Sequence, residues 1–178
     1  MTILETDRLQ LRPPVPQDAE ALAPMYADPE VMRYLGDGRI LTSEETERSV
    51  RRMISGWEAD GFGLFTTVRK EDDTVIGRIG LIVWDPETWQ PTRADSAGPT
   101  ELEVGYTLGR PFWGHGYATE AASAVRDFAL EQVGARRLIA LIIYGNTASE
   151  NVARKLSFRY ERDIQFGRRD AQLFAFQA

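Results

Sequence analysis

The segment that most restricts the fold of this chain runs from Glu101 to Glu120 and reads ELEVGYTLGRPFWGHGYATE. Its first part alternates polar and apolar side chains, which is the period of a half-buried β-strand. A turn containing Gly114 and Gly116 follows, and from Ala118 onward apolar residues recur at helical spacing. Free N–H groups and the positive end of the helix dipole converge on whatever such a turn holds. A ligand that carries phosphate is therefore the first expectation.

The glycines alone do not identify that ligand. Gly114 and Gly116 resemble the start of a dinucleotide fingerprint, but Thr119 occupies the third glycine position. The next predicted strand is followed by Gly145 and Asn146, with no acid to hold a ribose. No Gly-Lys-Ser/Thr sequence is present, which excludes a P-loop. On these residues alone, a tight turn that only packs a helix against a strand is an equally good interpretation.

Composition limits the possible chemistry. With 178 residues, 43% apolar and 27% charged, the chain is expected to form one domain over residues 1–178. The absence of cysteine excludes disulfides, thiolate metal sites and an acyl-cysteine intermediate. His115 is the single histidine, so a multi-histidine metal site is excluded and no metal is expected.

Charge and hydropathy suggest the kind of partner. The formal net charge of −6 makes nucleic acid an unexpected partner and favours a cationic substrate. No apolar run reaches membrane-spanning length, and the first residues lack a signal-peptide pattern. We therefore expect a cytoplasmic protein without a membrane partner, and either a monomer or a homodimer is compatible with the sequence.

The remaining chain alternates strands and helices, which predicts an α/β fold. Alternation and turn residues predict strands at Arg8–Arg12, Gly63–Arg69, Val75–Trp84, Glu101–Leu108, Arg137–Tyr144, Phe158–Asp163 and Arg169–Gln177. Helices are predicted at Asp18–Ala27, from a Thr42–Glu45 capping box to about Trp57, at Ala118–Val133 with Gly134 as the cap, and at Ser149–Leu156.

Two motifs together resemble a known family. EVGYTL and WGHGYATEA, followed further along the chain by NTASENVARKLSF, are similar to the GNAT superfamily of acyl-CoA-dependent N-acyltransferases. Within it, the chain resembles the branch of ribosomal-protein N-terminal acetyltransferases, RimJ and RimL. The resemblance implies a mixed, mostly antiparallel central sheet flanked by helices. In it, Glu103–Leu108 and Leu138–Tyr144 run parallel and splay apart.

The same resemblance implies acetyl-CoA as the cosubstrate, with its pyrophosphate on the N–H groups of the glycine turn. The family pattern Gln/Arg-x-x-Gly-x-Gly/Ala falls on Trp113, Gly116 and Ala118, and the first position departs from it. The implied cofactor-binding residues are Tyr106, Leu108, Trp113, Gly114, His115, Gly116, Tyr117, Ala118, Asn146 and Lys155. Arg136, Arg137 and Arg154 are weaker candidates for the 3′-phosphate, because a single charge is more often a solvated surface group.

The second motif contains two candidate ligand contacts. In the family, the asparagine at Asn146 contacts the pantetheine arm and the residue at Ser149 lies near the cofactor sulfur. Either side chain could instead cap the following helix. Ser157 replaces the glycine expected before Phe158, which argues against a left-handed backbone there. The tyrosine that protonates the leaving thiolate in many members falls at Ala153, so Ser149 or a water must serve as the acid.

Glu103 is the candidate general base, because the family's catalytic glutamate commonly lies on the strand that enters the turn. Glu101, two residues earlier on the same strand face, is the reserve. A backbone N–H near Tyr106 would polarise the thioester carbonyl. Glu120 is expected to stabilise the first turn of its helix rather than to act in catalysis.

The resemblance predicts transfer of an acetyl group to a primary amine, specifically the N-terminal amine of a protein or peptide. Acetylation of a small amine, such as an aminoglycoside, polyamine or amino acid, is the alternative reaction. A non-catalytic acyl-CoA-binding module is the alternative of another class. Acceptor specificity is expected from the Tyr34–Leu41 segment and from the polar Asp85–Thr100 loop.

Overall fold

A computed structural model describes residues 2–178 as one eight-stranded sheet with helices on its faces. The strands lie in the order β1-β2-β3-β4-β5-β6-β8-β7, and β5 and β6 are parallel while all other neighbouring pairs in residues 2–178 are antiparallel. The strands are β1 Leu4–Glu5, β2 Leu9–Arg12, β3 Leu64–Arg69, β4 Thr74–Trp84, β5 Glu101–Leu108, β6 Arg137–Ile143, β7 Arg159–Phe166 and β8 Arg169–Gln177.

Five α-helices and one short 3₁₀ turn connect these strands. The helices are α1 Asp18–Tyr26, α2 Pro29–Met32, α3 Ser43–Asp60, α4 Tyr117–Glu131 and α5 Thr147–Lys155, and the 3₁₀ turn is Arg110–Phe112. Among the described residues, none of these helices has the length and apolar character needed to span a bilayer.

Alternation along β6 separates the two faces of the sheet. Leu138 and Ala140 belong to the main core, in which Val125 and Phe128 of α4 are also buried. Ile139 and Ile143 face the opposite side and pack in a different cluster. The sheet is therefore covered on both faces, as the apolar character of this strand predicts.

The two parallel strands separate almost at once. β5 and β6 share one register pair, Glu103–Ile139, whereas β4 and β5 remain paired from Gly77–Leu108 to Trp84–Glu101. The prediction of a mixed, mostly antiparallel sheet with a splayed parallel pair is confirmed.

The sequence missed one short helix that matters for the site. α2 has four residues, too few to show a periodic apolar pattern. Its N-cap is Asp28, whose side chain accepts a hydrogen bond from the N–H of Glu30 at 2.9 Å. Asp followed by Pro29 is the signal that could have revealed this helix start. The predicted Thr42 capping box is present, but α3 continues to Asp60.

The expectation for Ser157 was wrong, because this residue adopts the left-handed conformation with φ 68°. The chain turns here from α5 into β7 while Leu156 and Phe158 are both buried. The Ser157 N–H donates to the Arg154 carbonyl and the Phe158 N–H to the Ala153 carbonyl, a Schellman pattern. These hydrogen bonds and the two buried neighbours hold a serine where glycine would be less strained.

We expect Ser157→Gly to raise the free energy of unfolding by about 0.5–1 kcal/mol. Glycine removes a left-handed strain of about 1–2 kcal/mol, partly offset by about 0.4–1 kcal/mol of extra unfolded-state entropy. Urea unfolding measures the change. Gly61→Ala is the reverse control, since Gly61 caps α3 at φ 74° with nothing within 4 Å of an added methyl group, and it should lose stability. An unchanged or lower stability of Ser157→Gly would contradict the strain.

Candidate functional site

A cavity of about 430 Å³ opens where β5 and β6 have separated. Its wall combines α2 and the turn after it, the end of β5, the turn before α4, and α5. The residues are Glu30, Val31, Tyr34, Leu35, Tyr106, Thr107, Leu108, Phe112, Trp113, Gly114, Gly116, Tyr117, Ala118, Thr119, Asn146, Ala148, Ser149, Asn151, Val152 and Lys155.

The glycine turn forms one end of this cavity. Gly114 and Gly116 both adopt left-handed φ, at 79° and 81°, and Gly116 is the N-cap of α4. The backbone N–H groups of Gly114, His115 and Gly116 have no hydrogen-bond partner within residues 2–178. Unpartnered N–H groups at the start of a helix of this length form an anion-binding site. The residues present therefore fit a pyrophosphate group.

The structure brings together nearly all residues predicted to bind the cofactor. Those that line the cavity are Tyr106, Leu108, Trp113, Gly114, Gly116, Tyr117, Ala118, Asn146 and Lys155. The exception is His115, whose side chain is exposed and is not part of the wall. This is the exposed-turn position that its two glycine neighbours suggest.

Trp113 takes the position where the family has glutamine or arginine. Its indole Nε1–H donates to the Leu108 carbonyl at 2.8 Å, and its side chain remains 46% exposed. The hydrogen bond fixes the ring against the end of β5, so the tryptophan forms a rigid wall at the cavity rim.

Asn146 and Ser149 combine a structural role with a position in the cavity wall. The Asn146 Oδ1 accepts from the Ser149 N–H at 3.2 Å, which is the helix cap that the sequence allowed. Tyr106 on β5 donates its hydroxyl to the Ser149 carbonyl at 2.9 Å. Burial raises the pKa of Tyr106, so its hydroxyl stays protonated. This bond joins β5 to the first turn of α5 across the opening between the strands.

Glu103 lies at the point where the strands part, and it is buried. Its Oε2 accepts from the Trp84 Nε1–H at 2.7 Å, and its Oε1 accepts from the Leu141 N–H at 3.1 Å. Leu141 follows the last paired residue, Ile139, by two positions, so the carboxylate satisfies an N–H that parallel pairing has left free. Burial raises the pKa of Glu103 despite these two hydrogen bonds.

This placement sets Glu103 apart from the cavity, and its role as the base stays a prediction. The Glu103 side chain is not part of the cavity wall, and both of its oxygens already accept hydrogen bonds. The cause is the separation of the strands itself, since the nearest unpaired backbone donor lies within reach of this carboxylate.

Glu101 lies further from the cavity, at the start of β5. Its carboxylate pairs with the Arg137 Nε at 3.0 Å, and Arg137 also pairs with Glu161 at 2.8 Å. Arg154 pairs with Glu150 at 3.1 Å. Neither arginine lines the cavity, so both have the ordinary ion-pair role that single charges usually have.

Another part of the cavity wall comes from α2 and the turn after it. Tyr34 donates its hydroxyl to the Gly145 carbonyl at 3.1 Å, and Leu35 lies beside it. Of the Tyr34–Leu41 segment, only these two residues line the cavity, and the role of the segment in acceptor specificity stays a prediction. The Asp85–Thr100 loop adds no residue to this wall, because it joins the other ends of β4 and β5.

Two further observations concern the proton donor and metal ligands. Ala153, at the family's tyrosine position, is buried in the main core and does not line the cavity. Within residues 2–178, no group of three or more His, Cys, Asp or Glu side chains is placed to hold a metal ion.

Known proteins share this architecture. A solved structure described as RimL, a ribosomal L7/L12 alpha-N-protein acetyltransferase in complex with coenzyme A, superposes with a TM-score of 0.77. It is 18% identical, and the match covers 99% of this chain and 98% of that one. At this identity the likeness concerns the fold alone.

Two relatives found by sequence have a higher identity than this structure. An uncharacterized N-acetyltransferase, p20 of Bacillus licheniformis, is 32% identical over 90% of this chain and 84% of its own length. The FsC-acetyl coenzyme A-N(2)-transacetylase of Aspergillus fumigatus is 30% identical over 84% of this chain and 61% of its own length. Residues 8–159 match the acetyltransferase (GNAT) domain family. The chain thus belongs to the GNAT family of acetyltransferases and is an acyltransferase enzyme.

Proposed function

We propose that this protein transfers an acetyl group from acetyl-CoA to the N-terminal amine of a protein or peptide. The observation that carries the proposal is the cavity lined by the end of β5, the glycine turn and α5, because the N–H groups of this turn have no partner within residues 2–178. GNAT acetyltransferases use acetyl-CoA, and the structurally similar RimL was solved with coenzyme A.

In this proposal, different parts of the cavity wall bind different parts of acetyl-CoA. The N–H groups around Gly116 hold the pyrophosphate, and Asn146 and Ser149 lie beside the pantetheine arm and its sulfur. Lys155 adds a positive charge to the same cavity. The acceptor amine enters on the side of Tyr34 and Leu35.

The proposed reaction is a direct transfer. The neutral amine nitrogen forms a bond to the thioester carbonyl carbon, the C–S bond breaks, and the amine loses a proton while the thiolate gains one. A backbone N–H near Tyr106 stabilises the oxyanion. Ser149 donates a proton to the thiolate and regains one from solvent, and Glu103, which is not part of the cavity wall, takes the proton of the amine through a water and later releases it to solvent. Because burial raises the pKa of Glu103, it is a stronger base than an exposed glutamate.

Charge and acidity favour an N-terminal amine. An α-amino group with a pKa near 8 needs about 1.4 kcal/mol to be neutral at pH 7, whereas a lysine near 10.4 needs about 4.6 kcal/mol. A site whose candidate base is a carboxylate outside the cavity wall, with no imidazole in that wall, suits the smaller demand. Glu30 in the wall and the net charge of −6 suit a cationic acceptor.

A small-molecule amine is the second candidate, and a specific observation favours it. The fungal relative is described as an N(2)-transacetylase, a name that points to an amine acceptor other than a ribosomal protein. Aminoglycosides, polyamines and amino acids are therefore alternatives, as is a binding module without turnover.

We expect thiol release from acetyl-CoA in the presence of peptides with a free α-amino group. The matched control is the same peptide with its N-terminus acetylated and one lysine retained, which should give background release. Aminoglycosides, polyamines and free amino acids complete the panel. Release only with lysine side chains or only with small amines would refute the N-terminal acceptor. Affinity for acetyl-CoA without any amine-dependent release would indicate a binding module.

We expect Gly116→Asp to weaken acetyl-CoA affinity at least about tenfold. An added Cβ atom lies 3.5 Å from Arg8 Nη2, so the carboxylate puts a negative charge at the turn and competes for Arg8. Each charge-assisted hydrogen bond to phosphate that is lost is worth about 1.5–3 kcal/mol. Calorimetry measures the affinity. Gly134→Asp is the matched control, because Gly134 follows the other end of α4 with φ 77° and open space around an added Cβ atom. Unchanged affinity in a folded Gly116→Asp protein would remove the turn from the site.

We expect Glu103→Gln to lower kcat by about 10²–10⁴, the usual effect of losing a general base, with acetyl-CoA affinity retained. The glutamine amide must also face one of the two N–H donors, Trp84 or Leu141. Glu101→Gln is the control on the same strand and should keep kcat. In wild-type protein, the raised pKa of Glu103 means that acidification protonates this base at a higher pH than an exposed glutamate. Wild-type kcat in both variants would mean that solvent deprotonates the amine.

A further inference from the structure

The start of α4 is tied to the N-terminal part of the chain by the side chains of Thr6 and Arg8, and Arg8 makes the larger number of these contacts. Its guanidinium reaches Glu120, with Nε 2.7 Å and Nη2 2.6 Å from Oε2. Its Nη1 donates to the backbone carbonyl of His115 at 3.0 Å. The guanidinium carbon also lies 4.5 Å from the centre of the Tyr117 ring. Arg8 therefore contacts the glycine turn and the first turn of α4 at once.

The contact with His115 fixes the direction of a peptide group. No other donor within residues 2–178 reaches this carbonyl. The described peptide bonds are all trans, so the His115 carbonyl and the Gly116 N–H lie in one peptide plane and point in opposite directions within it. A carbonyl held toward Arg8 therefore turns the Gly116 N–H away from Arg8. Since glycines lie on both sides of His115, little else in the backbone restricts this plane.

Glu120 holds the arginine in place. Its Oε1 accepts from the Thr6 hydroxyl at 2.6 Å and from the Arg8 N–H at 2.9 Å. Burial alone would raise the pKa of Glu120, but the hydrogen bonds from Thr6 and Arg8 keep it below the ordinary value. The carboxylate is therefore ionised, and its position is fixed by two residues of the segment between β1 and β2. This agrees with the expectation that Glu120 supports the helix start.

The pairing with Glu120 also decides what kind of effect Arg8 has. A guanidinium that shares its charge with a carboxylate 2.6 Å away adds little net attraction for an anion. Its fork can still bridge a carboxylate and a carbonyl at the same time, a geometry that a lysine cannot reproduce. The effect on the turn is therefore one of orientation.

We propose that Arg8 is a positioning residue for the acyl donor: it orients the His115–Gly116 peptide so that the N–H groups of the turn face a pyrophosphate. The inference deepens the proposed function and depends on its use of acetyl-CoA. Arg8 itself does not line the cavity.

The test compares Arg8→Gln and Arg8→Lys with wild type by calorimetric titration of acetyl-CoA. We expect both variants to bind about tenfold more weakly, the scale of one lost charge-assisted hydrogen bond. The KM for acetyl-CoA should rise in parallel, while kcat and the KM for the acceptor stay within about twofold. The reason is that the clamp formed by Arg8 and Glu120 touches neither reacting group.

Arg126→Gln is the matched control. Arg126 also bridges a carboxylate and a carbonyl, with Nε 3.0 Å from Asp127 and Nη1 3.2 Å from the Leu156 carbonyl, but it lies away from the glycine turn. We expect this variant to keep wild-type affinity for acetyl-CoA. An equal loss of affinity in Arg126→Gln would overturn the positioning role in favour of general destabilisation.

The outcomes separate this inference from the function on which it depends. If wild-type protein does not bind acetyl-CoA, the proposed function fails. If wild type binds and a folded Arg8→Gln binds equally well, only the role of Arg8 fails. Full affinity in Arg8→Lys would show that charge alone suffices and would overturn the orientation argument. Should Arg8→Gln not fold, Glu120→Gln tests the same clamp, with a weaker affinity expected and an unchanged affinity contradicting it.

Discussion

The arrangement of the site depends on the unpaired backbone that the separation of β5 from β6 creates. A buried N–H without a partner costs roughly 1–3 kcal/mol, so strands that part inside a core need other acceptors. The carboxylate of Glu103 supplies one by accepting from Leu141. Further along, the hydroxyl of Tyr106 reaches the carbonyl of Ser149. A side chain thus satisfies the backbone where the strands part, and a second side chain joins β5 to α5 beside the cavity.

Local patterns in the sequence were sufficient to predict much of this arrangement. Alternation, the Thr42 capping box and the glycine turn depend on neighbours a few residues apart, and the predicted elements lie within a few residues of those observed. The partners of Glu103 could not be predicted in the same way. Trp84 lies 19 residues before it and Leu141 lies 38 residues after it, so the hydrogen bonds depend on strand register, which no local pattern specifies.

The parts of the structure that were predicted wrongly or not at all depend on contacts that a local sequence pattern does not contain. α2 was missed because four residues cannot show a helical period, although its cap was visible. At Ser157, the local preference against left-handed backbone was overruled by burial of the residues on both sides. The position of Tyr34 in the cavity wall could not be predicted in detail, because its contact with Gly145 joins residues 111 positions apart.

The single register pair between β5 and β6 also divides the sheet by chain order. β1 to β5 belong to the first part of the chain and β6 to β8 to the last part, and each part is fully paired within itself. Backbone pairing at the seam is minimal, so the two parts depend for their cohesion on side chains and on α4 and α5. A molecule bound in the cavity touches residues from both parts, for example Tyr106 and Asn146, and therefore holds the two parts together. Occupancy of the site and integrity of the whole protein are thereby coupled.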